Sequence, residues 1–378
     1  MGTAGVGVPL RELGVVLLTA LVFTYLTTGI VRSLVIRSGH LSEIRERDVH
    51  TVRKPQLGGL AMFTGFLIAV YLAQQLPALT RGFRPITPEM DAILVASAII
   101  VFVGVIDDLY ELDALSKLVG QVAAALAMSL MGLRWSILYL PIGDGTTLIL
   151  DGAQSTILTT VFAVALMNAI NFIDGIDGLA SGVGMISGLA TLAFALSILH
   201  DQGGAVAAYP PAIIAAGLVG MCAGFLPHNF APSRIFMGDT GAMFIGLLLA
   251  AASTSASGKI NMSLYGTADF IAAMSPIFVV LASVFIPMLD LIMAVTRRLA
   301  RDSHPLQRTE STSIIVFCGW GTVRNRWCWC STPGWGSLPS VLLASPFSRR
   351  PGRLSCWLSP LRLPSGTPCA RLGYTFEL

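Results

Sequence analysis

The sequence predicts an all-α, polytopic integral membrane bundle of about nine spans, and three observations carry that prediction. Only 12% of the 378 residues are charged, where a soluble domain carries about 25%. Mean hydropathy is +0.74, and the apolar residues lie in runs long enough to cross a bilayer. Lys and Arg gather in a few short loops rather than spreading over a surface. With a net charge of only +3, nothing in the composition points to a nucleic-acid partner; membrane lipid is the expected surroundings.

Taken in order, the runs fall at roughly 13–35, 57–76, 91–107, 115–133, 154–170, 178–200, 209–227, 242–257 and 268–296. The first is too long for a signal-peptide core and its basic cluster follows it, so it reads as a retained span. Orientation follows from basic residues in short loops. Arg37, Arg45, Arg47, Arg53 and Lys54 follow span one; Arg297, Arg298 and Arg301 follow span nine. Nine spans put both groups on one side, the cytoplasmic one, with the N-terminus outside. Arg81 and Arg84 in an outer loop are the one misfit. By the same parity the loops near 36–56, 107–117, 168–178 and 228–241 share the cytoplasmic face. They hold nearly all the unusual polar residues of the body.

"VFVGVIDDLYELDALSKLVGQ" ends span three on Asp107 and Asp108. Adjacent carboxylates repel, which argues for a cation beside them; Lys117 is placed to neutralise either the pair or a ligand phosphate. "MNAINFIDGIDGLASG" carries Asn168, Asn171, Asp174 and Asp177 at every third position, a spacing that would stack them on one helical face. Asn, Asp and Gly also make ordinary turns, yet a short turn needs no such repeat. "HNFAPSRIFMGDTGAMFIG" brings Asn229, Arg234 and Asp239 around a Pro-bent loop. Asp239 opens the next span, either as a plain N-cap or at a helix terminus suited to phosphate. "DVHTVRKPQLGGLAM" adds His50 and Lys54, with Gly58 and Gly59 as a weaker hint of a phosphate site. Oxygen ligands and phosphates together suit a hard divalent cation. Zinc spacing, a Walker loop and a Gly-x-Ser-x-Gly elbow are all missing from the body. Cys222, alone in the first 300 residues, reads as a small buried hydrophobe.

These four stretches, in order and spacing, resemble the motifs of the polyprenyl-phosphate N-acetylhexosamine-1-phosphate transferase family over roughly residues 10–300. "NFIDGIDGLA" with "KPQLGG" is closer to the undecaprenyl- or decaprenyl-phosphate N-acetylglucosamine-1-phosphate transferase branch than to the phospho-N-acetylmuramoyl-pentapeptide transferases. The resemblance implies ten or eleven spans in the family, Mg²⁺ (or Mn²⁺) as cofactor, a UDP-N-acetylhexosamine donor, a polyprenyl phosphate acceptor and UMP release. It also implies a multi-pass protein of the bacterial plasma membrane with a cytoplasmic active site, acting at the first membrane step of a cell-envelope polysaccharide; a homodimer is compatible with it. Asp107, Asp108 and Asp239 match the family's catalytic aspartates, with Asp239 and Asp108 as metal ligands. His50, Lys54, Lys117, Asn168, Asn171, Asp174, Asp177, Asn229 and Arg234 fall on its substrate-binding positions. Ala242 stands where many members have Ser. The rival of another class is a secondary transporter, whose sites lie nearer the bilayer midplane than these span-end residues.

Beyond about Ser303 the character of the chain changes. This tail has no Lys but five of the six Trp and five of the six Cys, and no apolar run of spanning length. The reading divides the chain into a membrane transferase domain, 1–301, and an aberrant tail, 302–378. The family has a "HLHHR"-like loop where this chain reads "SHPLQRTESTSIIVF". The chain carries 21 Arg against 3 Lys, which suggests a GC-rich gene. Back-translating Glu310–Phe317 with C at each permitted wobble position, and starting one nucleotide earlier, yields His-Leu-His-His-Arg-Leu-Leu. The tail is thus expected to be the right DNA in the wrong frame, and the chain impaired by loss of that loop.

Overall fold

The computed structural model describes residues 8–38, 54–83, 87–135, 137–140, 146–202, 204, 208–257, 354–355 and 375–376. The chain divides into two compact units, Met1–Ile314 and Ile315–Leu378. In the first, the helices are α1 (Leu10–Ser38), α2 (Gly58–Gln75), α3 (Glu89–Tyr110), α4 (Ala114–Leu130), α5 (Gly152–Ile173), α6 (Leu179–Asp201), α7 (Tyr209–Asn229) and α8 (Gly238–Ser257). They match the first eight expected spans one for one, and the protein is a multi-pass helical membrane protein. Seven are long and apolar enough to cross a bilayer; α4, at 17 residues, is shorter. The ninth expected span, His50 and Arg53 lie outside the described residues. In the second unit the described residues form one antiparallel pair, Leu354–Ser355 with Thr375–Phe376.

Helix starts follow from local chemistry. Asp151 caps α5 in a reciprocal box: its Oδ1 accepts from the Gln154 N–H at 2.7 Å and Gln154 Oε1 accepts from its own N–H at 3.2 Å. Asp113 caps α4 by accepting from the N–H groups of Leu115 and Ser116. Pro210 and Pro211 stand in the first turn of α7, where a missing N–H costs nothing. One departure from all-helix is a hairpin, β1 (Ile137–Leu140) paired with β2 (Thr146–Ile149). It occupies the loop between the fourth and fifth expected spans.

Helix α8 is central, packed against α2, α3, α5, α6 and α7. All of its apolar window is buried, against 22% for α1, which is the share expected of a span lying along lipid. Lipid offers no hydrophobic driving force between spans, so close packing must hold the bundle. On α7, Gly220 and Gly224 supply it: a Cβ there would come within 2.2 Å of the Leu17 carbonyl oxygen and 2.3 Å of that of Leu21 on α1. At the opposite face of the site region, the strand-like segment before α2 pairs with the segment before α8. Phe236 N–H donates to Pro55 at 2.9 Å, Gly58 N–H to Phe236 at 3.0 Å and Gly59 N–H to Met237 at 2.8 Å.

Candidate active site

The end of α3, the start of α4, the end of α5 and the start of α8 meet at one end of the bundle, and each contributes a polar side chain. Asp107 is buried. Its Oδ1 accepts from the Leu112 N–H at 3.0 Å, closing the end of α3, and its Oδ2 lies 2.6 Å from Lys117 Nζ. The same ammonium contacts Asp239 Oδ2. Asn171 donates from Nδ2 to Asp239 Oδ1 at 2.6 Å. Lys117 therefore bridges two carboxylates on different helices, and it is Asp107 and Asp239 that it joins rather than the adjacent pair 107 and 108.

Asp108 turns the other way. Its Oδ1 accepts from the Asp239 N–H at 2.8 Å, and its Oδ2 from the Thr240 N–H at 3.3 Å and Thr240 Oγ1 at 2.6 Å. It caps α8. The expectation that Asp108 is a metal ligand meets this competition for its lone pairs directly.

The expected single face of Asn168, Asn171, Asp174 and Asp177 is corrected. Helix α5 ends at Ile173, and Asp174 is its C-cap. Only the two asparagines stand on its last turns. Asn168 exchanges hydrogen bonds with Gln121, donating to Oε1 at 2.7 Å. Asp174 is half-buried in the turn, and among the described residues its carboxyl has no hydrogen-bond donor and no cation. Desolvation pushes that carboxyl well above its ordinary range, and the charges of Asp239, Asp108 and Asp177 push it further. Asp177 belongs to a separate cluster: Lys54 Nζ lies 3.3 Å from its Oδ2, and Ser233 donates to it from N at 3.0 Å and from Oγ at 2.7 Å. The Lys54 ammonium also sits 4.9 Å above the Phe236 ring, a cation–π contact.

Asn229 and Arg234 differ in what their side chains are already engaged in. Asn229 is buried and serves as a helix anchor: its Oδ1 accepts from the Gly178 N–H at 3.0 Å at the start of α6, while Nδ2 donates to the Ile235 carbonyl at 3.2 Å. Arg234 has an exposed side chain; its backbone N–H donates to His228 at 2.8 Å and its carbonyl accepts from Arg32 at 3.3 Å. Gly58 and Gly59 spend their N–H groups on Phe236 and Met237, so they form no phosphate cradle. Sequence reading missed Gln121, Ser233 and Thr240. Gln121 had a readable signal, lying four residues after Lys117 and hence on the same face of α4.

No group of three or more His, Cys, Asp or Glu side chains converges on a metal-sized point among the described residues. The donor set nevertheless fits Mg²⁺, which takes one or two carboxylates and completes its shell with water and substrate phosphates. A positive group already stands between Asp107 and Asp239, in the form of the Lys117 ammonium. The Asp239 carboxylate, with the Asn171 amide beside it, is what such an ion would take from this set; Asp174 adds negative charge nearby.

Residues 90–257 match the glycosyl transferase family 4. The chain is 53% identical over 294 residues, 78% of its length and 72% of the relative's, to the decaprenyl-phosphate N-acetylglucosaminephosphotransferase of Mycobacterium tuberculosis strain H37Rv. It is 32% identical over 300 residues, 79% of its length and 75% of the relative's, to a probable undecaprenyl-phosphate N-acetylglucosaminyl 1-phosphate transferase of Bacillus subtilis strain 168. The phospho-N-acetylmuramoyl-pentapeptide-transferase of Desulfitobacterium hafniense is 30% identical over 254 residues, 61% of this chain and 71% of that one.

Proposed function

The chain belongs to the polyprenyl-phosphate N-acetylhexosamine-1-phosphate transferases of glycosyl transferase family 4, and we propose that it moves N-acetylglucosamine-1-phosphate from UDP-N-acetylglucosamine to a polyprenyl phosphate, decaprenyl phosphate by its nearer likeness. UMP is released and polyprenyl-diphospho-N-acetylglucosamine is formed. The observation that carries this reading is the Asp107–Lys117–Asp239–Asn171 chain of contacts at one end of the bundle, with the carboxyl of Asp174 beside it, which meets no cation among the described residues. Identity of 30% to the pentapeptide-transferase branch against 53% to the N-acetylglucosamine branch favours the latter sugar. The proposal places this end of the bundle at the cytoplasmic face of a bacterial plasma membrane, where UDP-sugars are available.

In the reaction an oxygen of the lipid phosphate attacks the β-phosphorus of the UDP-sugar. A new P–O bond forms, the bond to the bridging oxygen breaks, and UMP leaves with that oxygen and its electron pair. Several phosphate charges meet, so the site must supply positive charge where they gather. The chemistry that Mg²⁺ would supply when bound is positive charge to offset that of the diphosphate and the departing UMP. Asp239 would hold the ion, with Asn171 adjacent. Lys117 is within reach to turn from its carboxylates onto phosphate oxygens. Asp107 holds the end of α3 with one oxygen and Lys117 with the other, which suits placement better than proton removal. A phosphate monoester has its second pKa at about 6, so the nucleophile arrives mostly ionised at neutral pH. Residues 302–378 take no part in this proposal.

Membranes carrying this chain, and membranes carrying a version with the reading frame restored after residue 302, test it together. The restored version is expected to release UMP from UDP-N-acetylglucosamine when given decaprenyl phosphate and Mg²⁺, and to stop in EDTA; the present chain is expected to be far slower. Absence of UMP release from the restored version, or release indifferent to EDTA, contradicts the reading.

A further inference from the structure

We propose that Asp108 is a positioning residue for Asp239, touching neither metal nor substrate: its carboxylate clamps the first turn of α8 and so fixes where Asp239 points.

A carboxylate offers about four acceptor sites. Asp108 gives three of them to the Asp239 N–H, the Thr240 N–H and the Thr240 hydroxyl. The two N–H groups are among the donors that a helix leaves without partners at its N-terminus, and the helix dipole favours a negative charge there. Helices usually meet this need with the residue just before the first turn. Here α8 opens on Gly238, which has no side chain to offer, and the cap comes from 131 positions away in sequence. The substitution has a steric reason. Gly238 sits at φ +74°, and a Cβ there would lie 2.4 Å from Asp108 Oδ2 and 2.7 Å from Oδ1. The carboxylate is pressed over the glycine, and no side chain at 238 fits beneath it.

The consequence falls on Asp239. Its backbone N–H is held by Asp108, while its side chain reaches Lys117 and Asn171 on the opposite flank. With the backbone pinned on one side and the carboxylate held on the other, the Cα–Cβ bond of Asp239 cannot be re-aimed without breaking the cap. Adjacent residues thus divide the labour: Asp107 meets the cation, and Asp108 sets the helix that brings the second carboxylate to it. The kinetic meaning of this rests on the transferase reading; the structural division does not.

The test uses the full chain in detergent, with Asp108→Asn, Thr240→Val, Thr240→Ser and the Asp108→Asn/Thr240→Val double variant. Thermal unfolding reads the clamp. Each of Asp108→Asn and Thr240→Val is expected to lower Tm, the double variant to fall little below the worse single, and Thr240→Ser to stay near the parent, because the members share one interaction. Additive losses, or a Tm unchanged by Asp108→Asn, overturn the proposal. If Asp108→Asn does not fold, the Val and Ser variants at 240 decide: equal behaviour of the two sinks it. The Mg²⁺ concentration giving half of the Mg-induced Tm shift reads the positioning. It is expected to rise for Asp108→Asn and for Thr240→Val alike, and to return to the parent value in Thr240→Ser. A rise in Asp108→Asn alone marks Asp108 as a direct ligand and refutes the assignment. A parent chain with no Mg-induced shift counts against the transferase reading and leaves the thermal comparison to decide the clamp.

Discussion

Helix α8 meets polar groups at both ends, about 30 Å apart by its length, and the two ends are built on opposite terms. At the Ser257 end the polar groups are mostly neutral: Trp135 Nε1–H donates to Ser257 Oγ at 2.6 Å, its backbone N–H to Thr159 Oγ1 at 3.1 Å, its carbonyl accepts from Ser155 Oγ, and Ser255 donates to Glu89, while the buried hydroxyls of Ser253 and Thr254 have no partner. At the Gly238 end, Asp107 and Asp239 share one ammonium, and among the described residues Asp174 has no cation. A neutral hydroxyl without a partner costs little. Carboxylates short of positive charge cost more, and that unmet cost favours a bound ion.

The sharpest way to separate the ends is to remove the acceptor at the centre of the unmet one. Asp239→Asn in the frame-restored chain is expected to lower kcat by about 10²–10³-fold, measured as UMP release, with Tm close to that of the parent. A loss of folding in place of a loss of rate would erase the distinction between the ends. Lys117→Met comes next. It leaves Asp107 and Asp239 facing each other without a cation, so the metal-free protein is expected to lose about 1–2 kcal/mol, a figure reduced from that of a fully buried pair because Lys117 is partly exposed. Added Mg²⁺ should restore more of the Tm in this variant than in the parent.

At the other end, Trp135→Phe removes the donor to Ser257 and leaves its oxygen without that partner. The expected cost is about 1–2 kcal/mol of stability, read by thermal unfolding, with kcat per folded molecule unchanged. A fall in kcat would show that the two ends are coupled through α8. The smallest effect concerns pH. The Asp174 carboxyl holds its proton more tightly in the folded chain than its ordinary value of 3.8 allows, so its contribution favours folding at acidic pH and is lost as pH rises above 3.8 toward the folded value. In EDTA, Tm is expected to decline over that rise, and Asp174→Asn to flatten the decline. Mg²⁺ should flatten it too if the ion lies among these carboxylates.

The helices were legible because apolar runs and their breaks are local properties. Eight of them fall where composition and length put them, and the capping aspartates at 113 and 151 sit where helix-start chemistry requires. The site was legible in membership more than in wiring. Lys117 could be named as a neutralising charge, but not which carboxylates it would join, since Asp107 and Asp239 lie 132 positions apart and no periodicity links them. Asn229 carries the same side chain whether it binds a ligand or caps α6; only its burial and its partners decide. Ser233 was hidden for the same reason, being an ordinary residue made important by what faces it. The hairpin of 137–149 escaped because its strands are four residues long and bordered by Leu, Pro and Gly that read equally as loop.

The backbone pairing of 55–59 with 236–237 has a use in the laboratory. Its three hydrogen bonds lie where the chain leads into α2 and α8, and first-turn amides, which have no partner within their helix, usually exchange with solvent quickly. The amides of Gly58, Gly59 and Phe236 are donors to carbonyls across the seam, and deuterium uptake there should be slow against its surroundings. Because the seam joins the start of α2 to the residues leading into Asp239, its exchange rate gives a clock for the opening of this rim, readable in native membranes without any turnover.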